Sequence, residues 1–476
     1  MSHSPALVAI DLGAESCRVS LLRWQKDESR IAMIRRFENG PEDDGAAGWH
    51  WNLDRICREL EAGLRTCADV ATEGIAAIGV TGWAVDYVRL NNAGEPLAPP
   101  FCYRDERTRR SMAEVHSVIP AEQLYARTGV QIQPINTIYQ LYADRRSGIP
   151  ESAPWVNLPE FILHWLGAPR VAEYTNATHT GLIDAETGQW SDAVFAALSL
   201  DKTAAPEIVR PGTALGPLRV DLCRLPAFAK TQLIAPACHD TASAIAGIPE
   251  PPGSWAYISS GTWSLVGTPL AQSLRTQDAF ARGFTNLGAA DGGILFHRGI
   301  PGMWLLRQCM NAWDQDRGWK LAELIAEARR LPAPDHLLDL DDPALLPPGD
   351  MTVRINAQFT RQCAPPLPVG YDAAPHYANL IFHSLAARYG ALLTEIAEMT
   401  GRRPHHISVV GGGSQNEYLN TLTEQATGLP VRRCSVESST LGNLAIQWAR
   451  IEQSSGSLPP QSIAEKVVAL AAVPVA

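Results

Sequence analysis

The chain has 476 residues, more than one ordinary hydrophobic core accommodates, so two domains are expected. It is 46% hydrophobic and 19% charged, as globular proteins are, and it has no long biased tract that would keep it unfolded. With 50 acidic against 40 basic residues and a formal net charge of −10, it lacks the basic face of a nucleic-acid binder; pairs such as Arg35-Arg36, Arg109-Arg110 and Arg402-Arg403 are short and scattered.

The first apolar run, Leu7 to Ile10, ends at Asp11 and is too short for a signal or membrane segment, so a cytoplasmic protein is expected. The nine cysteines form no C-x-x-C pair and read as reduced thiols rather than a zinc site or disulfide framework. Leu7 to Leu12 predicts a strand, Gly13 to Ser16 a turn, Arg18 to Trp24 a second strand and Met33 to Phe37 a third. Ile56, Leu60, Leu64 and Ala68 share one helix face, and a buried strand at Ile75 to Val80 follows. From about Pro96 to Pro236 the pattern is mixed and does not fix an order of elements.

The prolines in Pro249-Glu250-Pro251-Pro252-Gly253 mark a linker, dividing domain 1–248 from domain 249–476. The opening theme then returns: strand Trp255 to Ser259, small-residue turn Ser260-Gly261-Thr262, strand Trp263 to Gly267. A long helix, His376 to Thr400, turns Leu385, Tyr389, Leu392, Leu393 and Ile396 inward. Next come strand His406 to Val410, the run Gly411-Gly412-Gly413, helix Asn416 to Thr427, strand Val431 to Val436 and a helix from Thr440. The repetition suggests a structural duplication and an α/β architecture of two domains with mixed sheets and a cleft between them.

Four segments carry candidate chemistry, each with a plainer alternative. Asp11 followed by a small-residue turn suits a metal ion and phosphate, or is an ordinary β-hairpin. The turn at Ser260-Gly261-Thr262 suits phosphate from the other half, or is again a hairpin. Gly411 to Gly413 lets a flat adenosine approach the backbone, or answers a need for unusual dihedrals. Asp240, opening a small-residue helix, is a general base or a plain N-cap, and His239 beside it a structural or substrate-contact residue. No G-x-G-x-x-G is present, which argues against a nicotinamide-dependent oxidoreductase.

In register these segments resemble the FGGY family of carbohydrate kinases. The resemblance rests on Val8–Ala14, Trp83–Asp86, Tyr103–Thr108, Asn136–Leu141, Glu173–Thr178, His239–Ser243, Ser260–Ser264 and Gly411–Asn416, and spans nearly the whole chain. Within the family, members acting on L-rhamnulose are the most similar. The resemblance implies two actin-like, ribonuclease H-like ATPase domains (the sugar kinase/Hsp70/actin fold). It implies transfer from ATP, with Mg²⁺, to give L-rhamnulose 1-phosphate and ADP. It makes Asp240 the catalytic base and Asp11 the metal-associated carboxylate. Sugar contacts fall on Trp83, Ala84, Asp105, Asn136, His239, Thr241 and Gly299. ATP contacts fall on Ala14, Glu15, Ser16, Cys17, Arg18, Gly261, Thr262, Arg307, Gly411, Gly412, Gly413 and Gln415.

The chain departs from the family pattern where Ala84 replaces a glycine and Gly299 an asparagine. Arg307 replaces a glutamine, although Gln308 is adjacent, and Glu15 and Cys17 stand where serine and glycine are common. Lost amide hydrogen bonds alter substrate discrimination, so a related ketose or polyol is the alternative acceptor. A silent sugar- or nucleotide-sensing member of the fold is the alternative class. The expected partners are a sugar and ATP, without nucleic acid or membrane, on a monomer or homodimer.

Overall fold

The computed structural model describes residues 5–25, 28–45, 48–250, 253–313, 318–453, 456 and 458–471. Pro251 and Pro252 of the expected linker lie outside the described residues. The chain forms two compact units. The first comprises Met1–Pro251, Leu270–Phe296 and Glu437–Ala476; the second comprises Pro252–Pro269 and His297–Val436. This division differs from a single cut after residue 248, because two later stretches belong to the first unit.

In the first unit, β1 (Ala6–Leu12), β2 (Ser16–Gln25), β3 (Glu28–Glu38), β4 (Ile75–Gly82), β5 (Thr213–Pro217) and β6 (Gln232–Ala235) build a sheet in the order β5-β6-β4-β1-β2-β3. Every residue of β1 is buried, as expected for a central strand covered on both faces. β1 is antiparallel to β2 and parallel to β4, and β6 is parallel to β4, so the sheet is mixed. The hairpin after β1 needs Gly13, since a Cβ there would lie 2.4 Å from the Ser16 carbonyl oxygen. Helix α1 (Leu53–Val70) begins where Asn52 accepts the Arg55 N–H, and buries Ile56, Leu60 and Leu64 as predicted. Gly63 and Cys67 complete that face, whereas Ala68 is only half-buried. Helix α2 (Leu158–Trp165) and helix α3 (Asp240–Ala246) flank the same sheet.

The second unit repeats the plan. Strands β7 (Ala256–Ser260), β8 (Trp263–Leu270), β9 (Ile294–Pro301), β10 (Ile407–Val410) and β11 (Val431–Arg433) run in the order β9-β8-β7-β10-β11. β7 is antiparallel to β8 and parallel to β10. Helix α4 (Ala374–Thr400) buries all five predicted positions, and α5 (Glu417–Thr427) is capped by Asn416. β11 is shorter than the predicted Val431 to Val436: it ends at Arg433, after which Cys434 N–H still donates to Val409 O. The chain ends in α6 (Ser438–Glu452) and a last helix, Pro460–Ala471, both in the first unit. Asn443 and Gln447 of α6 donate to the carbonyls of Gly79 and Val8, over a glycine whose Cβ would meet Asn443 at 2.5 Å.

Candidate active site

Three parallel strands lie side by side in the first unit, and their carboxyl ends gather the candidate residues. β1 ends at Asp11-Leu12, β4 leads into Trp83, and the loop after β6 leads into His239-Asp240. Leu12 O accepts the Trp83 N–H at 3.3 Å, and Cys238 O accepts the Gly82 N–H at 2.9 Å. Ligands of open α/β sheets bind at such carboxyl ends.

Asp240 is the first residue of α3, and His239, not Asp240, occupies the N-cap position. The plain N-cap alternative is thereby overturned. Its Oδ1 accepts the Thr241 hydroxyl at 3.1 Å and faces His239 Nε2 at 3.3 Å. The side chain is 37% exposed, open on one side. Burial of the remainder, then the charge of Asp11, push its carboxyl up to about 7, near the working range of a general base. Burial pushes Asp11 up to about 6, with the Arg18 guanidinium pulling the other way. Arg18 Nη1 lies 2.7 Å from Glu437 Oε2 and 3.5 Å from Asp11 Oδ2. The side chain assigned to ATP by resemblance is therefore engaged by two carboxylates of its own unit.

Among the other turn residues, Cys17 points into the core, and burial raises its thiol to about 12. Only its backbone can meet a phosphate. Glu15 is exposed, Ala14 and Ser16 half-buried, and Asn39 Nδ2 holds the turn through Gly13 O at 2.9 Å.

Trp83 belongs to a buried array centred on Asp86, a residue the sequence reading quoted but gave no role. Asp86 accepts the indole N–H of Trp51 at 2.6 Å and of Trp83 at 3.0 Å, the Tyr103 N–H at 3.2 Å and Gln140 Nε2 at 3.1 Å. The two indole rings are tilted against each other with centroids 4.4 Å apart. Between Trp83 and Asp86, Ala84 is buried and Val85 has φ of 72°, a strained value for a β-branched residue. Thr137 Oγ1 and Gln140 Nε2 hold it by donating to Val85 O at 2.7 and 3.2 Å. Asp105 accepts the backbone N–H groups of Trp49 and Arg107, and Asn136 that of Gln133, so both pin loops around this array.

In the second unit the structure brings the Gly261-Thr262 turn and the glycine run together at the ends of neighbouring strands β7 and β10. Cβ atoms on Gly411 and Gly413 would sit 2.8 Å from Ser260 O and 1.9 Å from Ser260 Oγ. A Cβ on Gly412 would meet nothing within 4 Å. Two glycines therefore serve strand approach, and Gly412 is the open one. Gln415 ends the turn, with Nε2 3.5 Å from Ser414 Oγ. The 261–262 turn is tied to a neighbouring loop: Thr262 O accepts the Gly302 and Trp304 N–H groups, and Gly261 O that of Met303. Gly299 lies in β9 against Leu265, and Arg307 is exposed on helix Trp304–Trp313. Gln308 turns inward to accept the Gly349 N–H at 3.0 Å.

Two mixed-sheet α/β units of matching plan, one carrying Asp11 and Asp240 beside the carboxyl ends of its parallel strands, give the fold class of the sugar kinases that the family models identify. The chain belongs to the FGGY family of carbohydrate kinases: the family's N-terminal domain matches residues 6–247 and its C-terminal domain residues 256–450. It is an ATP-dependent carbohydrate kinase, transferring phosphate to an alcohol group. It is 35% identical over 444 residues to a rhamnulokinase of Enterococcus faecalis, covering 92% of this chain and 88% of that one. Its fold is similar to a gluconate kinase from Lactobacillus acidophilus (TM-score 0.77, 16% identity, 98% of both chains). It is also similar to a Plasmodium falciparum glycerol kinase with ADP (TM-score 0.74, 14% identity, 97% of this chain and 92% of that one). No helix among the described residues is long and apolar enough to cross a membrane.

Proposed function

We propose that the acceptor is a ketose, L-rhamnulose before others, and that Asp240 takes the proton of its attacking hydroxyl. The observation that carries the reading is the likeness, over nearly the whole chain, to a protein named rhamnulokinase, with an acid held near 7 at position 240. The acceptor oxygen attacks the γ-phosphorus, its proton passes to Asp240 and ADP leaves with the bond's electron pair.

Phosphoryl transfer asks mainly for alignment and charge stabilisation. Trp83, fixed by Asp86, offers the sugar an apolar face on a rigid support. Turn residues Gly261 and Thr262, with the open Gly412, are the proposed nucleotide contacts of the second unit. Among the described residues no cluster of three or more His, Cys, Asp or Glu could hold a metal ion alone. The chemistry of the first unit nonetheless fits Mg²⁺ arriving with ATP, because the charge of Asp11 helps raise the Asp240 carboxyl and a cation would relieve that repulsion. Asp11 would hold it, and it would neutralise phosphate charge. The reading places the enzyme in the cytoplasm, where ATP is plentiful.

Measuring ADP release over a panel of ketoses and polyols, L-rhamnulose and D-xylulose among them, tests the proposal. Highest kcat/KM on L-rhamnulose is expected. A clear preference for another acceptor, or no ADP release with any, overturns it.

A further inference from the structure

We infer that the segment Glu173–Thr180 is the element that positions Asp240, with Glu173, Thr175 and His179 as positioning residues. The inference rests on Asp240 being the base. Its first part, Glu173–Thr178, resembles the family in sequence, yet no role for the segment follows from the chemistry above.

Asp240 follows a loop, and the aim of its carboxylate depends on the backbone of Cys238 and His239. Both N–H groups are taken by the segment. Glu173 Oε2 accepts the Cys238 N–H at 2.8 Å, and Thr175 Oγ1 accepts the His239 N–H at 3.2 Å. The Thr175 hydroxyl donates in turn to Glu173, so one buried pair holds two consecutive peptides. The third hold is on the side chain: His179 Nε2 lies 3.0 Å from His239 Nδ1, with ring centroids 3.9 Å apart. The other nitrogen of His239 faces Asp240 Oδ1 at 3.3 Å. In its ionised form, the one a base needs, Asp240 only accepts, which puts the proton of neutral His239 on Nε2 and leaves its Nδ1 to accept from His179. The segment itself is anchored to α2, where Glu160 accepts the Glu173 N–H at 3.0 Å and Asn176 Nδ2 at 2.8 Å. Loops carrying catalytic groups need such support to hold a productive geometry.

Replacing His179 by leucine removes the donor, whereas glutamine keeps an N–H at similar reach. With L-rhamnulose and ATP, His179→Leu is expected to lower kcat about 10-fold, the usual worth of one hydrogen bond, with KM for ATP unchanged. His179→Gln is expected to recover most of the loss. In an Asp240→Asn background, His179→Leu should cost little more, because the group it aims is gone. Thr175→Val, of nearly the same shape, should behave like His179→Leu and serves if that variant does not fold. Unchanged kcat in the folded variants, or an undiminished loss in the Asp240→Asn background, overturns the inference. Normal turnover by Asp240→Asn alone overturns instead the reading of Asp240 as base.

Discussion

The charge of Asp11 adds to burial in raising the carboxyl of Asp240, although Asp11 stands at the end of β1 and Asp240 opens α3 after β6, with β4 between the two strands. An ordinary aspartate, at 3.8, is a weak base at neutral pH; one near 7 is basic enough to take a hydroxyl proton and still half ionised. Arg18, held to Glu437, keeps Asp11 from climbing as far.

Asp240→Asn keeps size and shape and loses the proposed base. A fall in kcat of about 10²–10⁴-fold is expected, with sugar affinity largely retained. Steady-state ADP release and calorimetric sugar titration check the two halves.

As the proposed base, Asp240 works deprotonated, so kcat/KM should climb with pH up to about 7 and level off above it. In Asp11→Asn the neighbouring charge is gone, and the acid limb of the profile should move to lower pH. A pH–rate series on both proteins decides this.

Because the folded pKa of Asp240 is above its unfolded value of 3.8, the folded state holds a proton that the unfolded state has released. That contribution to stability is full below about 4 and is lost as pH rises through about 7. Asp240→Asn should therefore raise the melting temperature relative to the parent above pH 7, with the gain vanishing toward pH 4. Thermal denaturation across the range reads it directly.

Gly442 lies where α6 crosses α3, and a Cβ there would fall 1.9 Å from the Ser243 carbonyl oxygen. Backbone cannot yield as a side chain can, so Gly442→Ala should cost about 1–3 kcal/mol in denaturant unfolding and lower kcat by displacing the helix of Asp240.

Within the glycine run, Gly413→Ala forces a Cβ against Ser260 and should destabilise by about 1–3 kcal/mol. Gly412→Ala meets nothing and should leave the melting temperature unchanged while raising KM for ATP, if adenosine lies over it. Unfolding and kinetic measurements on the two separate a folding need from a binding one.

The strands and turns that open each unit were legible because they are local: an apolar run broken by a carboxylate or by small residues. So were Asp11, Trp83 and Asp240, which follow such runs. The hub at Asp86 was not, because its donors come from Trp51, Tyr103 and Gln140, and only the fold brings them together. Its W-x-x-D spacing was the one available signal. His179 meets His239 from 60 positions away, and Glu437 meets Arg18 from 419. No periodicity encodes such pairs. The glycine run was read for its freedom of approach, but two of its three members answer to Ser260, a strand neighbour invisible in one dimension.

Helix α6 closes over β1 and β4 through Asn443 and Gln447, yet it follows every stretch of the second unit along the chain. On the ribosome, the sheet bearing Asp11 emerges before α6, and the face that α6 covers waits until translation has passed Glu452. The nascent chain therefore cannot complete the unit bearing Asp11 and Asp240 before the other unit has been synthesised, and it depends through that interval on whatever shields exposed apolar strands.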